Sequence, residues 1–91
     1  MVMTNSQRLE YDRYMSDGEW HMRKAADNLG YYYFSEAKSH YWKASQCFDK
    51  AYEIARSAGD YAQNEAARKK READSEYSNV SYKEDDYVRS L

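Results

Sequence analysis

The chain has 91 residues, which is the size of one small domain whose modest core leaves little room for a large buried cofactor. Its 14 basic and 16 acidic residues give a net charge of −2, which argues against a wholesale electrostatic nucleic-acid binder and against a polybasic membrane anchor. Eleven Tyr and two Trp compensate for few aliphatic residues, and the absence of Pro favours helices, so we expect an all-α fold.

Residues 1–16 are predicted to be an N-terminal segment outside the main domain, in which Thr4 and Gln7 can cap a short helix. The main domain is predicted over residues 17–78. Its first apolar stripe has helical steps of 4, 3 and 4 and consists of Met22, Ala26, Leu29 and Tyr33. Gly30 lies within this stretch, and we expect a neighbouring helix to pack closely on it because glycine lowers helix propensity.

The chain is predicted to turn within residues 34–39, and a single unbroken helix over 19–58 is the alternative. Beyond this turn, small and aromatic residues recur at steps of 3 and 4, namely Ala37, Tyr41, Ala44, Phe48, Ala51, Ala55 and Ala58. The small residues leave room for rings from a facing helix. Gly59 is predicted to end this helix in the left-handed conformation, and Asp60 with Gln63 resembles a capping box that starts the next helix.

A third helix is predicted from about residue 61 to residue 78, with a thinner apolar face that Lys69 interrupts. The members of this face are Ala62, Ala66, Ala73, Tyr77 and Val80. Residues 79–91 have no sustained period and are predicted to be an acidic, Tyr-rich tail that is either mobile or docked as an edge segment. The predicted fold is therefore an all-α small helical bundle, built on an antiparallel hairpin at about 17–58 and completed by a third helix.

The predicted hairpin resembles the tetratricopeptide repeat in two motifs, Leu29-Gly30-x-x-Tyr33 and Tyr41-x-x-Ala44-x-x-x-Phe48-x-x-Ala51. The match covers about residues 20–58, with two extra residues between the motifs and Gly59-Asp60 where the family has proline. A microtubule-interacting-and-transport domain, whose first two helices look like such a repeat, fits the length equally well. Both resemblances imply recognition of a peptide or helix. A lone repeat implies a core completed by the other helices, a second copy or a partner.

The chain contains more aromatic residues than these stripes can bury. Tyr31, Trp42 and Tyr52 lie off the stripes, and Tyr and Trp favour interfaces because each joins an apolar body to a polar tip. We expect these three, or part of the set, to form a patch for a protein partner or a second copy. The alternative is that large rings fill the core of a bundle with few aliphatic residues. The predicted function is non-catalytic protein binding through an aromatic-rich helical surface.

The C-terminal stretch supports an alternative function. Glu84, Asp85 and Asp86 alternate with tyrosines there, and together they could imitate the charge and stacking of a nucleic acid. The chain would then be an acidic inhibitor that blocks the basic groove of a nucleic-acid-handling enzyme. Because screening weakens ion pairs but not apolar burial, salt should release the partner of such a mimic.

The basic run Arg68-Lys69-Lys70-Arg71 has acidic neighbours at helical spacing, including Glu65, Glu72 and Asp74. We therefore interpret it as a solvated helix face, with contact to a partner as the alternative, and direct nucleic-acid binding is not expected.

The two histidines each follow an acid by four residues, as Asp17–His21 and Glu36–His40, and surface ion pairs explain both. Cys47 lies seven residues after His40, about 10.5 Å along a helix, which is beyond hydrogen-bond reach. No metal, cofactor or catalytic residue is predicted, so the chain is not expected to be an enzyme.

The N-terminal sequence Met-Val-Met-Thr-Asn-Ser lacks the basic and then apolar pattern of a secretory signal. No apolar run approaches the roughly 18–20 residues that cross a bilayer. One cysteine, Cys47, excludes an internal disulfide framework. We therefore expect a cytoplasmic protein without a membrane partner.

Overall fold

The computed structural model describes residues 2–91, which form three α-helices and no strand. α1 spans Asn5–Gly30, α2 spans Phe34–Ser57 and α3 spans Ala62–Arg89. The molecule is a rod of 54 × 16 × 12 Å in which α2 packs against both other helices, while α1 and α3 contact each other little. The predicted all-α bundle, a hairpin with a third helix, is confirmed.

The predicted stripe of α2 is buried along its whole length, from Ala37 to Ala58. Phe48 packs with Ala73 of α3, and Tyr41 packs with Val80 of the same helix. Alanines on both helices allow the backbones to approach closely without loss of side-chain entropy. The core is therefore a narrow seam of small residues and rings.

α1 begins earlier than predicted and has no break near residue 16. Thr4 and Gln7 form the expected capping box, with the Gln7 amide donating to Thr4 Oγ1 at 3.1 Å and the Thr4 amide donating to Gln7 Oε1 at 2.9 Å. Buried or half-buried residues then recur at helical steps as Tyr11, Met15, Gly18, Met22, Ala25 and Leu29. Because this stripe is continuous, the predicted boundary between 1–16 and 17–78 falls inside one helix.

The core-facing residue of the second half of α1 is Ala25, and Ala26 is exposed. The predicted stripe was wrong by one residue at this position because it included Tyr33, which lies beyond the end of the helix. The close helix contact expected at Gly30 is also absent, since a Cβ there would meet nothing within 4 Å. Gly18 has that contact instead, because a Cβ on it would lie 2.7 Å from Cζ of Phe48.

The first turn occupies residues 31–33, so the turn predicted within 34–39 and the unbroken helix over 19–58 are both wrong. The Tyr33 amide donates to Asn28 O at 2.9 Å and the Tyr32 amide donates to Leu29 O at 3.0 Å. This is the Schellman pattern, in which the residue after the cap is left-handed. That residue is Tyr32, with φ 61°.

The second turn has the predicted position. Gly59 is left-handed with φ 65°, and the Asp60 amide donates to Ala55 O at 2.9 Å. The predicted capping box differs in detail because that bond already uses the Asp60 amide. The Gln63 side chain donates to Asp60 O instead, and the Asp60 carboxylate accepts from the amides of Ala62 at 2.8 Å and Met3 at 3.2 Å.

α3 continues past its predicted end at Ser78 to Arg89. No Gly or Pro interrupts this stretch, Val80 is buried, and the Tyr87 ring packs on Phe34 with centroids 5.7 Å apart. The predicted boundary between 17–78 and 79–91 therefore also falls inside one helix. Lys69, which interrupts the apolar face of α3, forms an ion pair with Glu19 of α1 at 2.6 Å.

Candidate protein-interaction site

The three aromatic residues predicted to form a patch lie in different parts of the bundle. Tyr31 caps the C-terminus of α1 and is exposed, while Trp42 is exposed on α2 beside Tyr77. Tyr52 is half-buried against the core cluster that contains Met3, near the second turn. Ten residues of helix, about 15 Å, separate Trp42 from Tyr52, so the structure does not bring the set together.

An aromatic cluster lies instead around the first turn. Tyr31 and Tyr33 stack with ring centroids 5.8 Å apart, and Tyr32 stacks on Tyr87 of α3 at 5.0 Å. Phe34 lies beneath this second pair, 6.2 Å from the Tyr32 ring. The tyrosines of the turn remain largely exposed, so their rings are available to a partner.

The backbone at Tyr32 makes this cluster unusual. A left-handed conformation costs a residue with a side chain about 1–2 kcal/mol, and helices usually place glycine there. The second turn follows that rule with Gly59, whereas the first turn has a tyrosine that is 62% exposed. Strained residues of this kind concentrate at functional sites. The Tyr32 ring is held in place by its stack on Tyr87.

Beside the cluster lies an open cleft of about 510 Å³ that is lined by residues of all three helices and of the first turn. Its lining residues are Ala26, Leu29, Gly30, Tyr32, Phe34, Tyr41, Glu76, Lys83 and Tyr87. Most of this lining is apolar or aromatic, and the volume lies within the range of small-molecule and side-chain pockets. We call this feature the aromatic cleft.

Two groups on α3 give the aromatic cleft its polarity. Glu76 lies near the Tyr41 hydroxyl, and burial together with this carboxylate raises the pKa of Tyr41. Lys83 supplies a positive charge about two turns further along the same helix. The phenol of Tyr41 therefore stays neutral at physiological pH, and the aromatic cleft has one acidic and one basic rim group.

The three acidic residues singled out in the C-terminal stretch lie on the last turns of α3. Successive residues of a helix point about 100° apart, so Glu84, Asp85 and Asp86 spread around the helix. Asp86 forms an ion pair with Arg89 at 3.2 Å, and both side chains are highly exposed. The three carboxylates therefore do not form a single negative face.

Three cations of the basic run, Arg68, Lys69 and Lys70, form ion pairs with acidic side chains. Arg68 pairs with Glu65 at 2.7 Å and with Glu72 at 3.4 Å, and Lys70 pairs with Asp74 at 3.0 Å. The predicted pairs within α3 therefore form for Arg68 and Lys70, while Lys69 bonds α1 rather than its own helix.

The histidines do not form the predicted pairs with acids on their own helices. Neither imidazole lies within 4.0 Å of Asp17 or Glu36, and His21 Nδ1 instead lies 2.9 Å from His40 Nδ1 across the α1–α2 seam. Trp20 covers the pair edge-on, with its ring centroid 5.0 Å from that of His21 and 5.9 Å from that of His40.

The contacts between α1 and α2 that sequence analysis missed share one cause. In a hairpin that turns at 31–33, residues whose numbers sum to about 64 face each other, which places His21 within one helical turn of His40. The turn predicted within 34–39 shifts that register and places His21 opposite residues near 52. A correctly placed turn would have revealed the pair, but Tyr32 gives no sequence signal for a left-handed residue.

No protein-family model, curated protein or solved structure matches this chain. Within residues 2–91, no group of three or more His, Cys, Asp or Glu side chains is arranged to hold a metal ion. The helices of this part of the chain also include none that is long and apolar enough to cross a membrane.

Proposed function

We propose that this chain is a non-catalytic protein-interaction module whose aromatic cleft accepts an apolar side chain of a partner protein. The observation that carries the proposal is Tyr32, an exposed ring kept at a backbone conformation that favours glycine. If the turn alone determined this residue, we would expect glycine, so we infer that the Tyr32 ring takes part in binding.

The composition of the aromatic cleft supports this function. Aromatic side chains with a polar tip are enriched at the energetically dominant points of protein interfaces. The rings of Tyr32, Phe34 and Tyr87 pack on one another, and Leu29 of α1 lines the same cleft, so an aliphatic or aromatic side chain could contact all four. The resemblance to tetratricopeptide and microtubule-interacting-and-transport hairpins is compatible with such peptide or helix recognition.

The variant Tyr32→Gly tests the proposal because it removes one wall while relieving the strained backbone. We expect its stability to stay within about 1 kcal/mol of the parent chain, since relief of strain offsets the lost stacking. Partner proteins captured by the immobilised parent chain from nuclease-treated lysate of its source should be lost by Tyr32→Gly. Quantitative mass spectrometry of the retained proteins is the measurement.

Matched controls make this experiment specific. Tyr87→Ala should lose the same partner as Tyr32→Gly, whereas Tyr82→Ala, which removes an exposed tyrosine of α3 outside the aromatic cleft, should retain it. A partner that both cleft variants retain would overturn the proposal. Trp42→Ala tests in the same way whether the predicted surface around Trp42 contributes to capture of the partner.

The salt dependence of capture separates this function from the acidic inhibitor proposed as its alternative. Apolar burial should hold the partner at roughly 0.5 M salt. A nucleic-acid-handling enzyme that salt releases, and that the triple variant Glu84→Gln, Asp85→Asn, Asp86→Asn fails to capture, would favour the inhibitor. Sedimentation of the chain alone distinguishes a second copy from a different partner.

A further inference from the structure

His21 and His40 join α1 to α2 by a bond between two imidazoles. The Nδ1 atoms are 2.9 Å apart and the ring centroids are 5.1 Å apart. These two distances differ by about twice the distance from a ring nitrogen to its own centroid, so the two nitrogens point at each other nearly head-on. The contact is therefore an N–H···N hydrogen bond rather than a pair of nitrogens converging on a common ligand.

Such a bond depends on how many protons the pair holds. In the neutral pair one Nδ1–H donates and the other Nδ1 accepts, because each imidazole carries one proton. A first added proton gives an imidazolium that still donates to a neutral ring. A second added proton leaves two N–H groups and two positive charges facing each other, so the bond is lost and the rings repel.

We propose that His21 and His40 form an acid-sensitive clamp whose double protonation separates α1 from α2. Leu29, which lines the aromatic cleft, lies on α1 about two turns beyond His21. Opening the seam would displace the α1 wall of that cleft, so acidification would weaken partner binding. Only this last consequence rests on the proposed function.

The surroundings of the clamp oppose its protonation. Burial lowers the pKa of His21 most, followed by His40 and Lys43, against the opposing charge of Asp17. Burial also lowers the pKa of His40, with Lys43 and then Lys24 adding to the effect. Within residues 2–91, these charges come from α1 and α2, and no charged group of α3 is among the groups that shift either imidazole.

The sign of the pH effect follows from these directions. The ordinary pKa of histidine is 6.5, and both values are lower in the folded chain. As the pH falls below about 6.5, the unfolded chain takes up protons before the folded chain does, so stability decreases. The stability that the clamp provides is complete above pH 6.5 and is lost progressively as the pH falls through the lowered folded values.

The double variant His21→Asn, His40→Asn provides the test. Asparagine can make an amide hydrogen bond near the position of Nδ1 but does not titrate, and its helix propensity is similar to that of histidine. Melting temperatures are measured at pH 7.5 and pH 5.5 with a chelator present. We expect the parent chain to lose about 5 °C more than the double variant on acidification. Equal losses would overturn the proposal.

Two further measurements apply to the pair directly. Imidazole ¹⁵N shifts of the otherwise unchanged chain should show one protonated and one unprotonated Nδ1 at pH 7.5, which needs no histidine variant. In a Trp42→Phe background, Trp20 is the remaining tryptophan, and its fluorescence should fall on acidification because an adjacent imidazolium quenches it. Two independent rings with free Nδ1 atoms would contradict the clamp.

The binding consequence has its own readout. Capture of the partner at pH 5.5 should be weaker than at pH 7.5 for the parent chain and unchanged for the double asparagine variant. If Tyr32→Gly leaves capture intact, the proposed function fails. The melting and ¹⁵N measurements test the clamp independently of that result. If capture depends on Tyr32 but the two pH responses are equal, the clamp fails and the proposed function stands.

Discussion

Gly18 and Gly30 belong to the same helix but have opposite surroundings. At Gly18 the fully buried Phe48 ring occupies the position of a side chain, with Cδ1 only 2.8 Å from an ideal Cβ. At Gly30 there is open space. Glycine is therefore required at the first position by packing, and at the second position neither packing nor backbone conformation requires it.

This difference gives a prediction at the scale of single residues. Gly18→Ala should reduce the free energy of unfolding by about 1–3 kcal/mol because Phe48 cannot move without disturbing the seam. Gly30→Ala should leave stability unchanged or raise it by up to about 1 kcal/mol, since alanine has the better helix propensity. Urea denaturation of the two variants, with unchanged m-values, is the measurement. Equal midpoints would contradict the packing of Phe48 on Gly18.

The conformational preferences of single residues explain why the first turn was predicted at the wrong position. A glycine after the helix cap marks such a turn in sequence, as Gly59 does correctly for the second one. Near the first turn the only glycine, Gly30, lies inside α1, and the left-handed position two residues later is a tyrosine. This left-handed tyrosine, Tyr32, also lines the aromatic cleft.

At the scale of elements, Asp60 connects the segment before α1 to the start of α3. Its carboxylate accepts hydrogen bonds from the Ala62 amide at the start of α3 and from the Met3 amide before α1, and Arg8 lies 3.9 Å away. The Ala62 amide has the largest effect in lowering the pKa of Asp60, and the Met3 amide and Arg8 act in the same direction. The ionised carboxylate therefore fixes how α1 and α3 meet at the second turn.

The variant Asp60→Asn should melt at a lower temperature than the parent chain at pH 7. The pKa of Asp60 is lower in the folded chain than its ordinary 3.8, so its contribution to stability is complete above that value. As the pH falls below 3.8 and through the folded value, the contribution is lost and the two melting temperatures should converge. The exposed Asp12→Asn is the control. A gap that does not narrow as the pH falls from 7 to 2.5 would contradict the assignment.

The lengths of α1 and α3 also depend on contacts between elements. The predicted ends of α1 and α3 were too conservative because each was inferred from where an apolar stripe became thin. α3 continues to Arg89 since Tyr87 finds its contacts on Phe34 and Tyr32, which belong to another part of the chain. Tertiary contacts of a few rings can thus extend a helix beyond the range that its own periodicity supports.

At the scale of the whole molecule, the bonds between α1 and α3 are unevenly distributed along the rod. Bonds between α1 and α3 lie towards the second turn, where the Tyr11 hydroxyl donates to Ala62 O at 3.1 Å, and extend to the Glu19–Lys69 ion pair near the middle. The aromatic cleft lies beyond these bonds, beside the first turn. The bonds between α1 and α3 and the aromatic cleft are therefore found towards opposite ends of the rod.

A double-mutant cycle on Glu19→Gln and Lys69→Met tests whether this ion pair helps to hold α1 against α3. The side chains are 38% and 21% exposed, so we expect a coupling energy of about 0.5–1 kcal/mol, decreasing with salt. The cycle for Arg68 and Glu72, an ion pair within α3 whose side chains are about half exposed, should give a smaller value. No coupling between Glu19 and Lys69 would mean that this ion pair does not help to hold α1 against α3.

The sequence by itself determined the helical class, the buried face of α2, the Thr4 cap and the turn at Gly59, because each depends on residues within one or two turns of each other. Only the tertiary structure decided the register of α1 against α2, and with it the His21–His40 pair, the Gly18–Phe48 contact and the aromatic cleft. Register depends on where the chain turns, and that position was hidden by a tyrosine in a conformation usual for glycine. Contacts between residues far apart in sequence then followed from a single turn that local preferences do not encode.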